Sequence, residues 1–204
     1  MADSFYSEEE LKTLGFESIG YGVKVSRKCS IYQISTVKLG NNVRIDDYCI
    51  LSGRIRIGNF VHIAAYSALY AGDAGIEIGD FANISSRVAI YAINDDYSGN
   101  SMTNPIIPEK FKNLQKEKVI VGKHAIIGTG STILPGVKIS EGGAVGSMSL
   151  VKKSIEPWTI NVGIPAEKKK KRSKKLLEIE KKFIRGGNAH LVQVCRLLYF
   201  IKKV

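Results

Sequence analysis

The chain has 204 residues, 44% of them hydrophobic, which is enough for one domain with a real core. No stretch reaches the ~20 consecutive apolar residues of a membrane-crossing helix. Three cysteines (Cys29, Cys49 and Cys195) lack the paired spacing of a disulfide framework or zinc motif, which fits a reducing cytosol. The net charge of +11 raises the question of nucleic acid, but residues 167–204 hold 13 Lys+Arg against 3 Asp+Glu, so residues 1–166 are nearly neutral and the excess belongs to a tail.

The first ten residues, MADSFYSEEE, are acidic and contain no apolar run, unlike a signal peptide. Ser7 followed by Glu10 forms a capping-box pattern. Leu11 and Leu14 give a short amphipathic helix stopped by Gly15. From Val25 and Ile31 onward a different pattern develops. An aliphatic residue recurs every six positions, at Leu39, Ile45, Leu51 and Ile57, then Ile78, Ile84 and Ile90. It is clearest at Val121, Ile127, Ile133, Ile139, Val145 and Val151. A small residue or Val commonly sits four positions later, as at Ala125, Ser131 and Val137, and Cys49 occupies one such slot as a buried apolar thiol. Neither helices nor simple strands have this period; six residues is the signature of a parallel β-helix. Three hexads make one triangular coil, the aliphatic residues point inward, and stacked coils bury one another. The helix at 8–14 is expected to cap the open end, which would otherwise expose strand edges.

Two interruptions stand out. Ile57 to Ile78 is 21 residues instead of 18, so three extra residues must bulge from a corner around Ala71-Gly72-Asp73. Ile78 to Val121 is 43 residues, which leaves 25 for a loop over 94–118, NDDYSGNSMTNPIIPEKFKNLQKEK. A long polar loop leaving a rigid solenoid is commonly functional. Beyond Val151 the repeats close at Pro157-Trp158 and Gly163-Ile164-Pro165-Ala166. A basic run, Lys168 to Lys175, precedes a helix-spaced apolar face (Leu176, Leu177, Ile179, Phe183) ended by Gly186-Gly187, and Leu191 to Ile201 is read as a docking helix. The division is thus a capping helix (1–18), a β-helix (19–166) and a basic helical tail (167–204).

From about Ser30 to Ala166, the hexads and the Gly163–Ala166 segment resemble the hexapeptide-repeat acyltransferases, most closely the galactoside and maltose acetyltransferases and the acetyltransferases of surface-polysaccharide synthesis. The resemblance implies an all-β fold, a left-handed parallel β-helix, although generic crossovers favour the right hand. It implies acetyl-CoA as co-substrate, no metal, a cytoplasmic homotrimer with sites between subunits, and a loop that shapes a neighbour's acceptor pocket. Thiol-ester acyl transfer needs a slot for the pantetheine arm, an oxyanion donor and an aimed acceptor. Gly128, Thr129, Gly146, Ser147 and Lys152 are read as equivalent corners that expose backbone amides along a groove. By resemblance Thr129, Ser147 and Lys152 touch coenzyme A, as do Gly163 and Pro165. The same residues can be small simply because tight corners require it. Lys168, in the basic run, is placed to meet coenzyme phosphates. The remaining cations read as a solvated face, with at most weak attraction to anionic lipid and no nucleic-acid role.

Catalysis is where the chain departs from the resemblance. The galactoside and maltose pattern places a catalytic His 17 residues after the Ile-Gly that opens the loop-bearing coil, and position 95 here is Asp. The pattern's substrate-binding Asp corresponds to Asp73. Three readings follow. Asp95 or Asp96 is the proton acceptor, one carboxyl being raised by its neighbour; or His62, from another coil, takes that role; or no strong base is needed because the acceptor is an amine, which a carboxylate binds as ammonium. Asp95-Asp96 can also be a plain turn cap. Tyr66, Tyr70, Tyr91 and Tyr97 can stack on a sugar or a nucleotide base, or merely pack. His124 reads as an exposed turn residue, and His190 lies in the tail. The expected function is acetyl transfer to an amino sugar or nucleotide-linked sugar for surface polysaccharide. Sugar O-acetylation and a non-catalytic binding role are the alternatives.

Overall fold

The computed structural model describes residues 4–186. Residues 18–162 wind into stacked coils whose short strands line three faces, giving the left-handed parallel β-helix. The first face carries Ser18–Ile19, Val37–Leu39, the later parts of Ile50–Ile57 and Ala68–Ile78, Val119–Val121 and Lys138–Ile139. The second carries Lys24–Val25, Arg44–Ile45, His62–Ile63, Asn83–Ile84, Ile126–Ile127, Ala144–Val145 and Thr159–Val162. The third carries Ser30–Tyr32, the earlier parts of the two long strands, Ala89–Tyr91, Thr132–Ile133 and Leu150–Val151.

The hexad residues form the core. Ile127, Ile133 and Ile139 are completely buried, Val121, Val145 and Val151 nearly so, and Cys49 fills its inward slot with its thiol pushed up to about 11, chiefly by burial. Parallel pairing holds corresponding hexads in register, Ile45 on Ile63 on Ile84 on Ile127 on Val145, so each coil presents its branched side chains to the next. The N-terminal end is closed by α1 (Glu8–Thr13), where Ser7 and Glu10 make the reciprocal capping box, typically worth ~1 kcal/mol. Its Leu11 is buried in the solenoid core.

Corners follow their own rules. Between the first and second faces, Asn42, Phe60, Phe81, His124 and Trp158 all adopt positive φ, rare for such residues. The side chain then lies over the neighbouring coil. Phe60 stacks on Phe81 at 5.1 Å, Phe81 on His124 at 5.1 Å, and Trp158 covers Gly142. His124 is therefore a buried rung of an aromatic ladder, 7% exposed, and not the exposed turn residue its sequence position suggests. Arg172 fastens this edge by donating to the carbonyls of His124 and Gly142 at 2.8 and 3.0 Å.

Both interruptions leave the corner between the third and first faces. The short one bulges at Gly72, where the pairing of Ala68–Ile78 with Ile50–Ile57 slips register. The long one leaves through a neck in which Ile93–Asn94 pairs antiparallel with Gln115–Lys116. Gly72 seats that neck, because a Cβ there would overlap the Ile93 side chain.

The basic run is divided differently from the sequence reading. Glu167–Lys171 is a strand, antiparallel to Thr159–Val162, and becomes the last strand of the second face; residues through 172 belong to the solenoid unit. A lysine-rich strand suits an exposed sheet edge, where charge discourages pairing with other chains. The second unit begins at Ser173 and contains α2 (Leu176–Gly186), none of whose residues is buried. The predicted segment Leu191–Ile201, with Cys195 and His190, lies outside the described residues. No helix among the described residues is long and apolar enough to cross a membrane.

Candidate active site

The loop neck delivers Asp95. It follows the strand Ile93–Asn94 directly and is half-buried at a cavity of about 410 Å³ lined by Asn94, Asp95, Asp96, Tyr97, Asn113 and Gln115, among others. Its neighbour has a different occupation. The Asp96 carboxylate accepts from the Ser98 amide and the Ser101 hydroxyl, both at 2.8 Å, and the Ser98 bond first of all holds its carboxyl below the usual carboxylate range. The expectation of a raised carboxyl is thus corrected for Asp96, which caps a turn of the loop. The sign of its pH dependence follows. Order from this turn is present above the ~3.9 of an unfolded Asp and is lost as pH falls through the lower folded value. Hydrogen exchange should find the Ser98 amide equally protected at pH 5 and pH 7, with protection lost only well below pH 4.

Asp73 sits on the short bulge, 68% exposed, with its carboxylate 3.6 Å from Lys116 in the loop neck. It therefore ties the bulge to the loop. Tyr91 stacks on Tyr70 with centroids 5.0 Å apart, and its hydroxyl is raised by burial and by the nearby Tyr70 and Tyr97. Tyr97 itself is 87% exposed.

His62 is not brought to Asp95 within one chain. It stands on the second face, across the prism from the loop-bearing corner, between Asp46 (2.8 Å) and Asn83 (3.1 Å). Burial pushes the Asp46 carboxyl up, but hydrogen bonds from His62 and Arg44 outweigh it and leave it below its ordinary value. His62 belongs to a polar cluster with Arg44, Asp46 and Asn83.

The corner between the second and third faces holds the small-residue column. Gly128-Thr129, Gly146-Ser147 and Val162-Gly163 follow one another one coil apart: the Gly128 amide donates to Val145 and the Gly146 amide to Asn161, each at 2.8 Å. Stacking is tight enough that a Cβ on Gly128 would sit 2.5 Å from the Ser147 nitrogen. Thr129 is half-buried and Ser147 exposed, and Ser86, one coil earlier, lies with its hydroxyl 3.5 Å from that of Thr129. Sequence reasoning passed over Ser86, although the 43-residue step from Ser86 to Thr129 matches that from Ile78 to Val121. Lys152 is not in this column. It follows Leu150–Val151 and so stands at the next corner of its own coil, exposed. Pro165 closes the last turn after a cis peptide bond, and Lys168 on the edge strand is engaged with Glu156 at 2.5 Å.

No protein-family model matches the chain. It is 49% identical over 183 residues to a dTDP-4-amino-4,6-dideoxy-D-glucose acyltransferase of Escherichia coli, covering 88% of this chain and 95% of that one. A putative lipopolysaccharide biosynthesis O-acetyl transferase of Escherichia coli strain K12, WbbJ, is 29% identical over 151 residues, 68% of this chain and 74% of the relative. Among solved structures, AntD, an N-acyltransferase from Bacillus cereus in complex with dTDP and 3-hydroxybutyryl-CoA, superposes with a TM-score of 0.90 at 54% identity, covering 92% of this chain and all of the other.

Proposed function

Because the chain belongs to the hexapeptide-repeat sugar acyltransferases, we propose that it transfers an acyl group from a coenzyme A thioester to the amino group of a dTDP-linked amino sugar used in surface-polysaccharide synthesis. The observation that carries this reading over O-acetylation is Asp95 at the loop neck, where the pattern for hydroxyl acceptors has histidine. A carboxylate is a good partner for an ammonium group. The relatives named as acting on an amino sugar, or as N-acyltransferases, support the same choice.

In this reading Asp95 holds the acceptor's ammonium group at the loop mouth and passes one of its protons to water. The neutral amine attacks the thioester carbonyl, a C–N bond forms, the C–S bond of the tetrahedral intermediate breaks, and the proton shed by the nitrogen is taken up by the departing coenzyme A thiolate. The column Gly128–Thr129, Gly146–Ser147 and Gly163 receives the pantetheine arm through backbone amides and carbonyls. Asp73, an exposed carboxylate within ion-pair distance of Lys116 in the loop neck, binds the acceptor sugar. His62 takes no proton in this scheme. The protein acts in the cytoplasm as a homotrimer, each loop completing the groove of its neighbour, and membrane contact through the tail is weak at most. Mass spectrometry of a reaction with acetyl-CoA and dTDP-4-amino-4,6-dideoxyglucose tests it: an N-acetylated nucleotide sugar is the expected product, and unchanged nucleotide sugar beside consumed thioester would overturn it.

A further inference from the structure

The strand Glu167–Lys171 is the last of the second face, so its outer edge has no partner strand among the described residues. All five of its residues are exposed. Residues 167–175 hold seven Lys+Arg against one Glu. Two of these cations are engaged within the protein: Arg172 donates to the His124 and Gly142 carbonyls, and Lys168 is paired with Glu156. Lys169, Lys170 and Lys171 pair with no carboxylate among the described residues.

Protection of the sheet edge does not account for them. Edges are guarded by a charge or by a bulge, and Lys169 already forms a bulge as the extra residue opposite Ile160-Asn161. Three adjacent lysines, in a basic run that continues to Lys174 and Lys175, exceed that need. Such an excess attracts a polyanion or an anionic surface. The neighbouring residues choose between the two. Binding of single-stranded nucleic acid combines cations with aromatic side chains on which bases stack, and residues 167–175 contain no aromatic residue. Apolar residues follow them instead. In α2, Ile179 and Ile184 are 64% and 36% exposed, and residues 191–201 read LVQVCRLLYFI in the sequence. Cations followed by apolar residues are the composition of a segment that rests at a bilayer surface.

We propose that the edge strand, through Lys169, Lys170 and Lys171, docks the protein on an anionic bilayer surface. Lipid headgroup phosphates meet the lysine ammonium groups from solution, so the contact is peripheral, reversible and screened by salt over a Debye length of about 8 Å at physiological ionic strength. A lysine close to an anionic surface is worth about fivefold in partitioning, and three are worth about 100-fold. The contact is independent of the acceptor's identity, so it stands or falls apart from the proposed function.

Flotation of the full-length protein with vesicles of phosphatidylglycerol and phosphatidylcholine in equal parts, beside vesicles of phosphatidylcholine alone, tests this. Wild type should float with the anionic vesicles at low salt, stay behind with the neutral ones, and be released by about 0.5 M salt. Lys169→Gln, Lys170→Gln and Lys171→Gln together should lower partitioning by about 100-fold. Lys→Arg at the same three positions should preserve it. Acyl transfer and the melting temperature should match wild type in both variants. Equal partitioning of wild type and the Gln variant would overturn the inference. So would a wild-type protein that ignores the anionic vesicles, floats equally with the neutral ones, or holds a single-stranded oligonucleotide more tightly than the vesicles.

Discussion

Asn in place of Asp95 is expected to lower kcat for acyl transfer to an amino sugar by about 10- to 100-fold, the worth of one hydrogen bond to a charged group. Asp95 is the first residue beyond the paired neck of the loop, half-buried, beside a cavity that Asn94, Asn113, Leu114 and Gln115 also line. Amide replaces carboxylate with almost no change of shape, so what is lost is the negative charge that holds and orients the ammonium group. Acyl-CoA binding should be unaffected. A true general base would show a deeper loss, about 100- to 10,000-fold. Asp96→Asn should behave differently. That carboxylate is committed to Ser98 and Ser101, so its loss should loosen the loop and raise the acceptor KM more than it lowers kcat. Stopped-assay kinetics on the two variants separate these roles. Equal, small effects from both would show that neither carboxylate touches the acceptor.

Gly128→Val is expected to damage stability and coenzyme binding together. The Cβ alone would meet the Ser147 nitrogen at 2.5 Å and the Gly146 carbonyl carbon at 2.7 Å, and both are backbone atoms that cannot rotate aside. The coils must part. Overpacking of this kind costs about 1–3 kcal/mol, or several degrees of melting temperature in a chain of this size. Parting the coils also displaces the amides and carbonyls that would line the pantetheine groove. The catalytic efficiency with acyl-CoA should fall by about 100-fold or more, an effect a 1 Å misplacement can produce. Ser154, at a different corner, offers a control: Ser154→Ala removes only one exposed hydrogen bond to the Lys138 amide and should leave coenzyme binding unchanged.

Much of the solenoid was legible because its period is fixed by geometry. Six residues per side and three sides per coil force Val121 through Val151 inward, and each is buried. The same arithmetic located the Gly72 bulge and the long loop, since any excess over 18 residues must leave at a corner. Corners were harder. Lys152 was grouped with Gly146 because both follow an inward residue, yet six residues further along is the next corner of the same coil. Only 18 residues, uncounting insertions, return to the same one. His124 was misjudged because a residue at positive φ directs its side chain along the stack, onto Phe81, and a hexad pattern contains no side-chain direction. Asp96 depended on two serines across a loop with no period at all. The lysine run became a strand against its weak β-propensity because an open sheet edge was available to it.

Asp95 was legible only through resemblance, and its role depends on what it replaces. Counting coils puts it where a histidine stands in the pattern for hydroxyl acceptors. A carboxylate in that place, which can pair with an ammonium group, suits an acceptor that carries its own nucleophilic nitrogen. The choice between nitrogen and oxygen is therefore the centre of the account.

The most direct measurement is thiol release from acetyl-CoA with two matched acceptors, dTDP-4-amino-4,6-dideoxyglucose and the same nucleotide sugar bearing a hydroxyl in place of the amine. The account predicts turnover with the amine and release at the hydrolysis background with the hydroxyl. Comparable turnover of both, or preference for the hydroxyl, would contradict it.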